Sequence, residues 1–261
     1  MAEAEGKKGD DIIPKEEKAL EQSEPEFVFA LRDINGELIS CWKDVFGDDC
    51  YNKYFEISEG DIFKKAPSAD AIVSPANSFG FMDGGIDMVY SLYFGWQMQT
   101  RLQDVLRNKH DGECLVGQCV IIPAYPPTEK FSDRKIDIDR NEGKAIKYLI
   151  SAPTMRVPVD VSTTCNAYLA FRGIILAARE FNRELKENGD KLGLGPIKKI
   201  LCPGLGTAVG MMPAYRCAYQ MKEAFDALIL RTIPMLICPG ALIDVTKHHW
   251  AMESAEKKEK K

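Results

Sequence analysis

Asp70–Gly85, DAIVSPANSFGFMDGG, decides how the chain is read. Ala71–Val73 is a short apolar run with two β-branched residues and reads as a buried strand. Ser74-Pro75-Ala76-Asn77-Ser78 breaks it with turn chemistry. Gly84-Gly85 then opens a segment rich in Met, Leu, Tyr and Gln, which predicts a helix. Strand, glycine-containing loop and helix start therefore follow one another directly. The first N–H groups of a helix have no partner inside it and face the positive end of its dipole. Such a junction suits an anionic group such as phosphate.

Further strands are predicted at Phe27–Leu31, Tyr54–Ile57, Gly117–Pro123, Lys147–Ala152, Ile197–Cys202 and Ile233–Cys238. Helices are predicted over Glu37–Phe46, Ile86–Asn108, Thr163 or Thr164 to about Leu185, and Ala214–Leu228. Asn35-Gly36 is a turn signal, and Met155–Ser162 a loop. Alternating strands and helices predict an α/β/α three-layer sandwich around a mixed, largely parallel sheet. In such sheets ligands sit beyond the carboxyl ends of the strands. The second glycine loop, Pro203–Pro213 (PGLGTAVGMMP), also follows a strand directly. The two loops can thus form two walls of one cleft.

The 261 residues are 45% hydrophobic and 28% charged, the profile of a globular chain. One domain is expected over residues 25–250. Charged segments at 1–24 and 251–261 read as tails, the first disordered. Ile12-Ile13-Pro14 is the only apolar spot of the first; the lysines of Ala255–Lys261 read as a solvated end, with a localisation signal as the alternative. A net charge of −5 argues against nucleic acid and anionic membranes as partners. No run of about 18 apolar residues predicts a membrane span. The N-terminus has no leader pattern, so the cytoplasm is expected, with the nucleus as the alternative. The eight Cys form no C-x-x-C pair and there are only three His, so no metal and no cofactor are expected. The thiols are expected reduced, and most read as small buried hydrophobes.

Glu59-Gly60-Asp61-Ile62, then Asp70-Ala71-Ile72-Val73-x-x-Ala76-Asn77-Ser78, then Gly84-Gly85-Ile86-Asp87, resembles the macro domain family. The resemblance extends over residues 54–238. It implies a binder of ADP-ribose, free or attached to protein, and for some members hydrolysis of mono-ADP-ribose linkages. By this resemblance Asp61 accepts from the adenine amino group, with Ile62 beside it, and Asn77 holds the distal ribose. Gly84, Gly85 and Ile86 line the diphosphate, and Gly204, Leu205, Gly206 and Thr207 supply its other wall through backbone N–H groups. Asp87 faces the distal ribose and, in a hydrolase, positions water as the catalytic residue.

Each assignment has a plain structural alternative. Asp61 is a strand-end turn residue, Asn77 an Asx turn, Asp87 a first-turn acid on the helix dipole, and the glycines ordinary turn residues. The chain also departs from the family pattern. Asp83 stands where glycine is usual, Tyr90 or Ser91 where one hydrolase branch has histidine, and no aromatic occupies its usual place in the second loop, where Val209 or Met211 stands instead.

Other functions compete. Gly204-x-Gly206-x-x-x-Gly210 between a strand and a helix is a near match to a dinucleotide-binding turn, which would make the chain a nicotinamide-dependent oxidoreductase. A macro-like fold used only for protein contact, through Tyr90, Tyr93, Phe94 and Trp96, is another reading. A third is nucleophilic chemistry at Cys202, for which the neighbouring sequence offers no base.

Overall fold

The computed structural model describes residues 24–126 and 139–257. The expected first tail, apart from Glu24, and the last four lysine-rich positions lie outside the described residues.

Six strands form one sheet: β1 (Val28–Asp33), β2 (Phe55–Glu59), β3 (Ala71–Ser74), β4 (Val120–Pro123), β5 (Tyr148–Ser151) and β6 (Lys199–Cys202). Their order is β2-β1-β6-β3-β5-β4, with every pair parallel except β4 against β5. The helices are α1 (Gly36–Val45), α2 (Gly85–Phe94), α3 (Gln97–His110), α4 (Asn166–Asn188), α5 (Ala214–Phe225) and α6 (Leu242–Glu253).

Side chains alternate across a strand, so each strand feeds both faces. Ala71, Val73, Ile200, Cys202 and Ile150 join a core with Leu38 and Trp42 of α1, Phe171 and Ile174 of α4, and Met221 and Phe225 of α5. Ile72, Leu201, Leu149 and Ile122 join a second core with Tyr90 and Phe94 of α2 and Met98, Leu102 and Leu106 of α3. The expected three-layer α/β/α sandwich is the observed one. Strands buried on both faces are continuous apolar runs for this reason.

Local chemistry sets the boundaries. Asn35 caps α1, its Oδ1 accepting from the N–H groups of Glu37 (3.0 Å) and Leu38 (3.4 Å), so Asn35-Gly36 is a helix start as well as a turn. The helix expected over Ile86–Asn108 is two helices, separated where Gly95 adopts φ +97°. The strand expected at Ile233–Cys238 is also corrected. Pro234–Leu236 is one 3₁₀ turn, Ile237 and Cys238 are exposed, and Pro234 has no N–H to give a sheet ladder. α5 runs on into a π-helical segment, Asp226–Leu230. α6, for which no helix was expected, carries Met252 into a buried position.

Asp70 ties three strands together just before β3. Its Oδ2 accepts from the N–H groups of Lys198 (2.9 Å) and Lys199 (3.0 Å), and its Oδ1 from Lys147 Nζ (2.7 Å). Burial pushes this carboxyl up, but the Lys147 bond and the two backbone donors outweigh it and hold it below its ordinary value. A depressed carboxyl contributes stability that is present above its unfolded value and lost as pH falls through the folded one. Asp70→Ala should therefore cost about 2 kcal/mol at neutral pH. In denaturant unfolding that cost should shrink progressively below about pH 4; a cost independent of pH would refute the charge-based account.

Candidate functional site

The β3–β5 pairing does not stop where the strands do. Ala76 N–H donates to Ala152 O (3.2 Å), Thr154 N–H to Ala76 O (3.0 Å) and Ser78 N–H to Arg156 O (3.1 Å). This extension launches the first loop away from the carboxyl edge of the sheet. Asn77 then shapes the loop. Its Oδ1 accepts from Phe79 (3.0 Å) and Phe81 (3.3 Å) N–H, and its Nδ2 donates to Phe81 O (2.8 Å).

The loop ends at Gly84-Gly85, the start of α2, where no side chain caps the helix. Gly85 has φ +55°, a conformation that favours glycine, and a Cβ at either glycine would meet no atom within 4 Å. The helix start is thus open on this side.

The second loop leaves β6, the strand directly beside β3 in the sheet. It closes on itself through Met212 N–H to Gly206 O (3.0 Å) and Met211 N–H to Ala208 O (3.0 Å). At Gly204 a Cβ would stand 2.4 Å from Thr207 Oγ1 and 2.6 Å from Leu38 Cδ2, so a larger residue would force both side chains to move. The segment between Thr154 and Val161 braces the loops to each other: Thr154 holds Ala76, and Val161 N–H donates to Gly210 O (2.9 Å).

Between the loops lies a cavity of about 890 Å³, within the range of small-molecule sites. Asp61, Ile62, Asn77, Gly84, Gly85, Ile86, Asp87, Gly204, Gly206 and Thr207 all line it, as does Asp83. Leu205 is not among the lining residues and its side chain is fully buried in the core; the contribution expected of it is a backbone N–H. Gly204 lines the cavity, but its N–H is spent on Asp33 Oδ2 (3.0 Å) and so is closed to a ligand in this arrangement. Val209 takes an exposed place on the rim, while Met211 lies outside the lining. Cys202 is fully buried with its thiol pushed well up by burial, which removes it as a nucleophile.

Sequence reasoning missed Asp33, Ile34, Thr154, Phe81 and Val157, all in the cavity wall. The signal was available for Asp33 and Thr154: one ends a parallel strand and the other lies just past one, where ligands collect.

The wall is acidic. Asp33, Asp61, Asp83 and Asp87 line it, and the cation among the lining residues, Arg32, is turned inward. Arg32 donates to Asp61 O (2.7 Å), Ser58 Oγ (2.9 Å) and Lys64 O (3.0 Å). Asp61 is exposed; slight burial pushes it up, but bonds from Lys64 and Phe63 N–H and the charge of Arg32 hold it below its ordinary value. Among the described residues no group of His, Cys, Asp and Glu has the makings of a metal site, and no helix is long and apolar enough to cross a membrane.

Asp87 is the perturbed group. It is buried in the first turn of α2, and Ser74 Oγ donates to its Oδ1 at 2.5 Å. Burial pushes its carboxyl up to about 6, against a smaller downward pull from Ser74.

No protein-family model matches the sequence, and no curated protein matches it. Solved structures similar to this one include the macrodomain of Mycobacterium tuberculosis DarG. It is 19% identical, with 66% of this chain and 90% of that chain covered and a TM-score of 0.44. The macrodomain of Thermus aquaticus DarG is 16% identical, with 77% and 93% covered and a TM-score of 0.41. The Trypanosoma brucei macrodomain in complex with ADP-ribose is 16% identical, with 61% and 53% covered and a TM-score of 0.36.

The Asp87 carboxyl gives a prediction with a definite sign. A folded value near 6, above the ordinary 3.8, means the native state holds a proton that the unfolded state has lost between those pH values. The Asp87 contribution to stability should therefore fall as pH rises through that window, by about 3 kcal/mol in all, and level off above it. Asp87→Asn lacks this term, so its stability relative to wild type should improve by that amount between acid and neutral pH. Denaturant unfolding at several pH values measures it; a constant difference would show that Asp87 is not a buried acid.

Proposed function

We propose that this cavity binds ADP-ribose, free or carried on a protein, with the diphosphate between the start of α2 and the second glycine loop. One observation carries the reading: Gly84, Gly85 and Ile86 line the same cavity as Gly206 and Thr207, although some 120 residues of chain separate them. Two backbone walls, one of them an open helix N-terminus, suit an elongated anion better than a single nest does.

Asp61 and Ile62 mark the adenine end. Asp61 keeps its charge at neutral pH, and a carboxylate suits an exocyclic amine, which only donates. Asn77 and Asp87 mark the distal ribose end. Asn77 has already committed one amide hydrogen and its oxygen to the loop, so it meets the ligand with what remains or through the loop it shapes. The phosphate charge has to be met by N–H groups and the helix dipole, because Arg32 is engaged elsewhere.

A second reading is hydrolysis of a mono-ADP-ribose linkage, favoured by Asp87 alone. A carboxyl lining the cavity with a value near 6 is placed to take a proton from water close to neutral pH. The nicotinamide-dependent alternative lacks architecture: among the described residues no strand follows β6, so its glycine turn opens no second βαβ unit.

Titration calorimetry with ADP-ribose, ADP, adenosine and NAD tests the proposal. ADP-ribose and ADP should bind, and adenosine should bind at least tenfold more weakly, about 1.4 kcal/mol, if the diphosphate is held. Equal affinity for adenosine and ADP-ribose would refute the diphosphate site, and NAD binding without ADP-ribose binding would favour the oxidoreductase. Release of ADP-ribose from a modified protein by wild type, lost in Asp87→Asn with binding retained, would establish the hydrolase.

A further inference from the structure

We infer that the Thr154 hydroxyl is a further ligand contact, donating to a non-bridging phosphate oxygen where the two loops meet. The inference rests on the ADP-ribose reading above and adds to it a residue that neither the sequence motifs nor the loops themselves supply. Thr154 lines the cavity and is fully buried, yet its Oγ1 has no hydrogen-bond partner. Buried hydroxyls are satisfied in most folded proteins, and one left unpaired at a site wall is a reason to look for a ligand atom. Ser78 Oγ and Trp42 Nε1 are also without a partner but belong to residues outside the cavity lining, whereas Thr154 lines it.

The residue is held firmly. Its N–H donates to Ala76 O (3.0 Å), and its own carbonyl accepts from Asn166 Nδ2 (2.8 Å). A threonine with a fixed backbone has few rotamers left, so the hydroxyl is placed before the ligand arrives. It also stands at the second loop: a Cβ built on Gly206 would be 3.8 Å from Thr154 Cβ. On that side Gly204 N–H is taken by Asp33 and the guanidinium of Arg32 by Asp61, Ser58 and Lys64, so the hydroxyl adds to the N–H groups of Gly206 and Thr207. A neutral hydroxyl gives the phosphate a bond without a counter-charge, and bonds to an anion are the stronger kind.

Thr154→Val keeps the shape and removes the hydroxyl; Thr154→Ser keeps the donor. Calorimetry with ADP-ribose and with adenosine, and thermal unfolding without ligand, are measured on all three proteins. Thr154→Val should bind ADP-ribose about tenfold more weakly, with adenosine unchanged, and Thr154→Ser should stay within about threefold of wild type. Without ligand, Thr154→Val should melt at or above the wild-type temperature, because it loses an unsatisfied group. Wild-type affinity for ADP-ribose in Thr154→Val would overturn the inference. So would an equal loss for adenosine, or a lowered melting temperature, which would mean that the hydroxyl serves the fold. Wild type that binds no ADP-ribose would overturn the functional reading itself, an outcome distinct from all of these.

Discussion

The parallel pairing of β3 with β6, Ala71 beside Ile200 and Ile72 beside Leu201, is what the rest of the molecule depends on. Parallel neighbours release their chains at the same edge of the sheet. Ser74 and Cys202 therefore hand over to two loops on the same side, although the strands are far apart in sequence. Both strands are buried on both faces, by α1, α4 and α5 on one and α2 and α3 on the other, so neither can slip without moving a core residue to the wrong side. The cavity is a consequence of that register.

Its character comes from how the loops are finished. Each is tied to its own backbone, and the 154–161 segment joins the two, so the walls are built without the ligand. Four carboxylates face a space in which the lining cation is already engaged. Such a wall repels free anions in general, and an anion held there has to be matched by aligned N–H groups over a short distance. Burial pushes the Asp87 carboxyl in this wall up to about 6.

Much of this was legible in the sequence because it is written locally. Ala71–Val73, the turn after it and Gly84-Gly85 give strand, loop and helix in consecutive residues, and the carboxyl-edge rule places both glycine loops together. What was not legible depends on partners distant in the chain. Asp33 closes Gly204 N–H across 171 residues. Leu205 lies between two cavity residues yet points into the core, which its glycine neighbours do not reveal. The apolar run Ile233–Cys238 has strand composition, but β6 already has β1 and β3 beside it, and the chain turns at Pro234 instead. The split between α2 and α3 hangs on one glycine φ angle inside an otherwise continuous helical pattern.

The central claim is that two distant backbone segments hold one ligand at the same time. Backbone amide resonances recorded during a titration with ADP-ribose test it most directly. The account predicts that Gly85, Ile86, Gly206 and Thr207 shift together along a single saturation curve. Shifts confined to one loop, or following two separate curves, would contradict it.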